Sequence, residues 1–186
     1  APIKDIVFGL DVIDSYIVLN RVDRFKDFNK EVSLPAIEEC AKFAEEVLAP
    51  INSIGDTHGA TIEDGIVIMP PGFKEAYEKF KYAGWASISL PNEIGGGGMP
   101  NTLSGATLEM LCSANMAFVL GPGLSIGAIS ALNFHASQQQ KDKYLPKLVS
   151  GDWSGTMNLS EPQSGSDLNN LTTKAVLQED GTYKIT

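Results

Sequence analysis

The sequence predicts a mainly α-helical fold that changes to β-structure near its C-terminus. Between residues 33 and 149, apolar side chains recur three and four positions apart, which is the spacing of amphipathic helices. After Gly151 this spacing stops, and a Glu-Asp-Gly-Thr turn at 179–182 separates two short strand-like segments, as in a β-hairpin. We therefore predict an N-terminal arm over 1–32, a helical domain over 33–152 and the start of a β-domain over 153–186.

Composition excludes several functional classes. The chain has 186 residues, of which 43% are hydrophobic and 20% charged, as in ordinary globular proteins. Its net charge of −9 and its lack of a basic cluster argue against nucleic-acid binding. Its two cysteines and two histidines have no metal-ligand spacing, so we expect no metal site. With no signal-peptide pattern, we expect both cysteines to be reduced and the protein to be cytoplasmic.

The first elements can be placed in order. We interpret residues 1–30 as an irregular or partly helical arm. Ser33 is a candidate N-cap for the first helix, which we expect to end at Pro50. Residues 66–69 are predicted to be extended. A second helix is predicted from Phe73 and ends before Gly84, followed by a glycine-rich loop at 90–100.

The next segment could be mistaken for a membrane span. Residues 116–134 are almost wholly apolar or small, and about 20 such residues suffice to cross a bilayer. Gly121-Pro122-Gly123 interrupts this run with residues that break helices. We therefore predict two buried helices, over about 103–114 and 124–135, rather than a membrane span. A fifth helix is predicted over 141–149.

The segment 157–167 carries the strongest chemical pattern. Pro162 and Gly165 predict a turn after a strand, where backbone N–H groups and hydroxyls are exposed. Ser160 and Ser166 would then offer hydroxyl donors to an anion or to the polar edge of a ring. The alternative is a turn whose serines and acidic residues only bond locally.

This segment resembles a known family signature. Ser160-Glu161-Pro162-Gln163-Ser164-Gly165-Ser166-Asp167 is similar to the Thr/Ser-Glu-Pro-x-Ala/Ser-Gly-Ser-Asp motif of acyl-CoA dehydrogenases. Further similar segments follow the family order, at residues 90–96, 109–115 and 140–151. Residues 63–65 and 70–77 resemble the branch of bacterial long-chain and methylthiopropanoyl-CoA dehydrogenases.

The resemblance implies a fold and a site. The fold would be the helical N-terminal domain of this family followed by the first strands of its β-barrel-like middle domain, in a truncated chain. The implied cofactor is FAD, with Met157, Leu159 and Ser160 against the flavin ring. Ser166 would contact both the flavin and the CoA thioester, whereas Glu161 and Asp167 are interpreted as scaffold. The implied acyl pocket is lined by Phe118, Leu120 and Leu124.

The family reaction oxidises an acyl-CoA thioester to its trans-2-enoyl-CoA, as in fatty acid β-oxidation. A carboxylate base takes the α-proton while the β-hydrogen leaves as hydride to flavin N5. The family's base is a glutamate of a C-terminal bundle that this sequence lacks, so we expect the fragment alone to be inactive. Implied partners are the acyl-CoA substrate, an electron-transferring flavoprotein and further copies in a dimer or tetramer.

Two other functions remain open. One is a non-catalytic acyl-binding or assembly module that keeps the family fold. The other is a related enzyme acting on a different substrate, such as a nitroalkane or a sulfur-containing acyl-CoA.

Overall fold

The computed structural model describes all 186 residues and divides them into two compact units, Ala1–Thr156 and Met157–Thr186. The first unit is helical, as predicted. Its α-helices are α1 (Ile3–Val12), α2 (Ser15–Leu19), α3 (Lys30–Phe43), α4 (Ala49–His58), α5 (Phe73–Tyr82), α6 (Asn101–His135) and α7 (Gln138–Val149). Strands β1 (Thr61–Glu63) and β2 (Ile66–Ile68) form an antiparallel hairpin between α4 and α5.

The N-terminal region is more regular than the predicted arm. Helix α1 places Leu10 in the same buried apolar cluster as residues of α3 and α6, and Phe28 joins that cluster. The Tyr16 ring lies 5.6 Å from that of Phe28, and its hydroxyl is 2.8 Å from Ser33 Oγ. These contacts attach residues 3–28 to the start of α3.

Both predicted ends of the first long helix are wrong. Asn29 is the N-cap, because its side chain accepts a hydrogen bond from the Val32 N–H at 3.0 Å, and Ser33 lies buried inside α3. The helix also passes Pro50 instead of stopping there. A π-helical turn over Ala44–Leu48 joins α3 to α4, so that Pro50 falls in the first turn of α4. A missing N–H costs little at that position.

The predicted break at Gly121-Pro122-Gly123 is also wrong, because α6 continues through it. The interruption lies at Asn115, whose backbone is extended, with φ −161° and ψ 87°. Its buried side chain accepts a hydrogen bond from the Phe118 N–H at 3.0 Å and so caps the second half of α6. By length and composition α6 could cross a membrane, but one such helix is weak evidence, since core helices meet the same test.

Two apolar clusters stabilise the first unit. The larger one joins α3, α4, α5 and α6, and its side chains with the least exposure include Ile37, Cys40, Leu48 and Leu103. The smaller one is built from the second half of α6 and from α7, with Ile129 and Leu145 buried. Helix α7 begins with a capping box, in which Ser137 and Gln140 satisfy each other's backbone N–H groups.

The second unit contains the predicted C-terminal hairpin. Strands β3 (Ala175–Leu177) and β4 (Tyr183–Ile185) pair antiparallel, with Ala175 opposite Ile185 and Leu177 opposite Tyr183. The strand predicted before the turn at Pro162 does not form, since residues 154–160 belong to no helix or strand. A short 3₁₀ turn at Leu168–Asn170 precedes the hairpin.

Candidate functional site

The predicted signature segment folds into a tight turn in the second unit. The Glu161 N–H donates to the Ser164 carbonyl at 2.8 Å, and the Ser164 N–H donates back to the Glu161 carbonyl at 3.0 Å. Ser164 is buried, and its hydroxyl donates to the Asp167 carbonyl oxygen at 2.6 Å. The turn is therefore fixed by its own backbone and by one buried serine.

The Glu161 carboxylate connects this turn to residues eleven and twelve positions later. Its Oε2 accepts hydrogen bonds from the Thr172 N–H at 3.0 Å and the Thr172 hydroxyl at 2.9 Å. Its Oε1 accepts one from the Thr173 N–H at 2.9 Å, and Gln163 also donates to the group. Hydrogen bonds from Thr173 and Thr172 lower the pKa of Glu161 to about 2. These contacts agree with the interpretation of Glu161 as scaffold.

The Asp167 carboxylate likewise accepts hydrogen bonds from neighbouring residues. Its Oδ1 accepts from the Asn169 N–H at 3.1 Å, and its Oδ2 accepts from the Asn170 side chain at 2.8 Å. It thereby caps the 3₁₀ turn that follows. Both acidic residues of the signature support the turn, and neither is poised as a catalytic base.

The four predicted flavin contacts lie on the exterior of this unit. Met157 is 66% exposed and Leu159 41% exposed, and Ser160 and Ser166 are exposed as well. Residues 157–160 belong to no helix or strand. Two accessible apolar side chains beside an accessible hydroxyl suit a flat ring with a polar edge. The residues present therefore fit a flavin.

A separate cavity of about 840 Å³ lies in the first unit, between helices α5 and α6 and the β2 strand. Phe118 and Leu124, two of the three predicted acyl contacts, line it. Leu120 does not line it and is instead 60% exposed. The cavity walls are mostly apolar, and they also include residues that sequence reasoning missed: Val67, Ile68, Met69, Phe73, Tyr77 and Pro122.

Aromatic packing supports one wall of this cavity. The Phe118 ring lies 5.6 Å from Phe80, 6.0 Å from Phe73 and 6.4 Å from Tyr77, measured between ring centroids. Phe118 is buried in this group, so it shapes the wall more than it offers open surface. The four-residue spacing of Phe73 and Tyr77 on α5 marks a shared helix face, but it does not indicate a cavity.

The segment after α7 borders the same cavity and is held by charged groups. Lys81 Nζ lies 3.0 Å from Asp152 Oδ1, and Lys147 Nζ lies 3.1 Å from Asp152 Oδ2. Hydrogen bonds from Lys81 and Lys147 lower the pKa of Asp152 to about 2, and the bond to Asp152 raises the pKa of Lys81. Asp152 thus connects the last turns of α5 and α7.

Comparisons with known proteins add the family context. The family model "Acyl-CoA dehydrogenase, N-terminal domain" matches residues 34–152. The 3-methylmercaptopropionyl-CoA dehydrogenase of Ruegeria pomeroyi is 44% identical over 185 residues, which cover 100% of this chain and 32% of that protein. The chain spans about a third of the length of the curated relatives it matches.

Solved structures share the fold of this chain. A chain in the structure of the electron transferring flavoprotein of Acidaminococcus fermentans is 25% identical, with a TM-score of 0.68 over 85% of this chain and 39% of that one. The acyl-CoA dehydrogenase of Bacillus anthracis, solved in complex with FAD, is 23% identical, with a TM-score of 0.68 over 86% of this chain and 26% of that one.

Proposed function

Because the chain belongs to the acyl-CoA dehydrogenase family, we propose that it forms part of an enzyme that oxidises an acyl-CoA thioester to the trans-2-enoyl-CoA. The observation that carries the proposal is the ordered signature turn at 160–167, following a helical domain of this family. The curated relatives matched above are acyl-CoA dehydrogenases, and this reaction class supports the proposal. The chain itself supplies binding and orientation, since its two signature carboxylates are committed to the turn.

The proposed cofactor is FAD, which when bound supplies the acceptor for the hydride lost from the substrate's β-carbon. Met157 and Leu159 would pack against its ring, and the Ser160 hydroxyl would donate a hydrogen bond to its polar edge. All three side chains are exposed in the second unit and available for such contacts. The Bacillus anthracis protein of the same fold was solved with FAD.

The proposed substrate contacts are of two kinds. The exposed Ser166 hydroxyl would donate to the CoA thioester moiety, and the apolar cavity would hold the acyl chain against Phe118 and Leu124. Burying the chain among apolar walls excludes water from its methylene groups. Leu120 stays a predicted contact, although the cavity geometry does not support it.

For the substrate class, we propose a short acyl-CoA with sulfur in the acyl chain. The supporting observation is the 44% identity to the 3-methylmercaptopropionyl-CoA dehydrogenase of Ruegeria pomeroyi, which extends over the whole chain. An electron-transferring flavoprotein is the proposed electron acceptor, and assembly into a homo-oligomer and a cytoplasmic location are proposed with it.

The proposal is tested on the full-length protein with an artificial electron acceptor. 3-Methylmercaptopropionyl-CoA is compared with pentanoyl-CoA, in which a methylene group replaces the sulfur. Mass spectrometry should detect a product lacking two hydrogen atoms, formed with a higher kcat/KM from the sulfur-containing substrate. Equal rates would overturn the substrate class, and no dehydrogenated product from either would overturn the activity. Residues 1–186 alone serve as the control and should give no product.

A further inference from the structure

We infer that Glu161 is a positioning residue, which sets the two signature hydroxyls of Ser160 and Ser166 by tying their turn to Thr172 and Thr173. This inference rests on the proposed function, because positioning matters only if those hydroxyls bind flavin and substrate. Glu161 would then affect FAD binding measurably, although it takes no part in proton or hydride transfer.

The Glu161 carboxylate lies between the two signature serines in the sequence. Ser160 directly precedes Glu161, and Ser166 lies inside the loop that the carboxylate closes with Thr172 and Thr173. A movement of Glu161 therefore moves the residue before it and releases the loop after it. The backbone at Ser160 is held by no helix or strand, since residues 157–160 belong to neither.

Further hydrogen bonds fix the inside of this loop. The buried Ser164 hydroxyl donates to the Asp167 carbonyl, and the Asp167 side chain caps the 3₁₀ turn. Ser166 thus lies between two anchored residues. Two side chains join the ends of the loop: the Gln163 amide donates to the Thr172 hydroxyl oxygen at 3.1 Å and to Glu161 itself. Glu161 alone accepts from the backbone N–H groups of Thr172 and Thr173.

The two backbone donors require a carboxylate at position 161. The Thr172 N–H and the Thr173 N–H donate to different oxygens of Glu161, at 3.0 and 2.9 Å. A glutamine has one oxygen and one NH2 group, so either orientation would place an NH2 donor against a backbone N–H. Glu161→Gln therefore keeps the side-chain volume but loses at least one charge-assisted bond and adds a repulsive contact.

A matched control exists in the same unit. Asp180 in the β3–β4 turn also accepts a backbone N–H and a hydroxyl, both from Thr182, at 2.9 and 2.6 Å. Both bonds go to one oxygen, Oδ1, which an asparagine retains. Asp180→Asn thus removes a carboxylate charge outside the signature while sparing its turn.

The first measurement uses the full-length protein without flavin. Amide hydrogen exchange should speed up at Thr172 and Thr173 in Glu161→Gln, and should be unchanged there in Asp180→Asn.

The second measurement is the dissociation constant and visible spectrum of FAD on the same variants. FAD should bind about tenfold more weakly to Glu161→Gln, with an altered spectrum, and normally to Asp180→Asn. Glu161→Asp keeps the charge, and its FAD dissociation constant should lie between those of wild type and Glu161→Gln. It replaces Glu161→Gln in both measurements if that variant does not fold.

The outcomes separate the inference from the function it rests on. Faster exchange with unchanged FAD binding and unchanged KM and kcat would overturn the inference and leave the proposed function standing. Equal losses in Glu161→Gln and Asp180→Asn would reduce Glu161 to a general structural role and also overturn it. A wild-type protein that binds no FAD would overturn the proposed function, and the inference with it.

Discussion

The Tyr77 hydroxyl donates a hydrogen bond of 2.9 Å to the carbonyl oxygen of Gly151, across 74 positions of the sequence. This bond joins α5 to the turn that follows α7, at the edge of the apolar cavity. Gly151 has φ +75°, and a Cβ there would lie 2.8 Å from Lys81 Cγ and 3.3 Å from the Tyr77 hydroxyl oxygen. The close approach therefore requires a glycine.

Replacing Tyr77 with phenylalanine should destabilise the protein. The ring packing against Phe80 and Phe118 is retained, but the Gly151 carbonyl loses its donor. We expect a loss of about 1 kcal/mol in the free energy of unfolding, measured by urea denaturation. Tyr82→Phe is the control, because Tyr82 is 96% exposed, and it should leave stability unchanged. Equal effects of the two variants would contradict the importance of the Gly151 bond.

Asp152 should make stability depend on pH. Hydrogen bonds from Lys81 and Lys147 lower its pKa to about 2 from an ordinary value of 3.8. A carboxyl group with a lowered folded pKa stabilises the protein above its ordinary pKa, and this stabilisation is lost as the pH falls towards 2.

The melting temperature of Asp152→Asn should therefore be lower than that of wild type at neutral pH, and the two should converge near pH 2. The exposed Asp27, replaced by asparagine, serves as the control and should track the wild type throughout. A difference between Asp152→Asn and wild type that stays constant down to pH 2 would refute the ion-pair explanation.

Asn115 should be essential for the interruption in α6. Its buried side chain accepts from the Phe118 N–H and donates to the Leu48 carbonyl at 3.4 Å. Alanine would leave both buried backbone groups without these partners, at a cost of about 1–3 kcal/mol in the free energy of unfolding. Asn101→Ala, at the exposed start of the same helix, should cost far less. Chemical denaturation of both variants makes the comparison, and equal costs would disprove the capping role.

The two cysteines should react at different rates with iodoacetamide. Burial raises the pKa of the Cys40 thiol to about 12, and its side chain is inaccessible. Cys112 is half-buried, and burial raises its pKa as well. Because the thiolate is the nucleophile, native protein should be alkylated at Cys112 alone, and slowly, whereas denatured protein reacts at both. Peptide mass spectrometry reads the result, and native alkylation of Cys40 would contradict the packing of α3.

Helical periodicity predicted the mainly α fold because it reports burial along each helix. It could not place the boundaries, which depend on particular contacts. Asn29, not Ser33, is the N-cap, since its side chain accepts from the Val32 N–H, whereas Ser33 lies inside α3 with its hydroxyl 2.8 Å from that of Tyr16. The π-helical turn makes Pro50 tolerable, and Asn115 interrupts α6 where no glycine or proline indicates it.

Of the candidate site, the sequence predicts the signature turn but not the cavity. The signature turn could be found from the sequence because its residues are contiguous and their bonds are local. The cavity could not, because Val67, Tyr77 and Phe118 come from distant segments that only the folded chain brings together. The family resemblance implies Leu120 as an acyl contact beside Phe118 and Leu124. Two positions along a helix change the direction of a side chain by about 200°, so Leu120 lies off the cavity that Phe118 lines, and its contact with the acyl chain stays a prediction.

The proposal that this chain belongs to a flavin-dependent enzyme oxidising acyl-CoA thioesters can be tested on the whole protein. Its most direct test is the visible absorbance of the purified full-length protein, titrated without oxygen with 3-methylmercaptopropionyl-CoA. We predict a bound-flavin absorbance band that bleaches as the substrate is added. A protein that carries no flavin, or whose flavin band stays unchanged with excess acyl-CoA, would contradict the account.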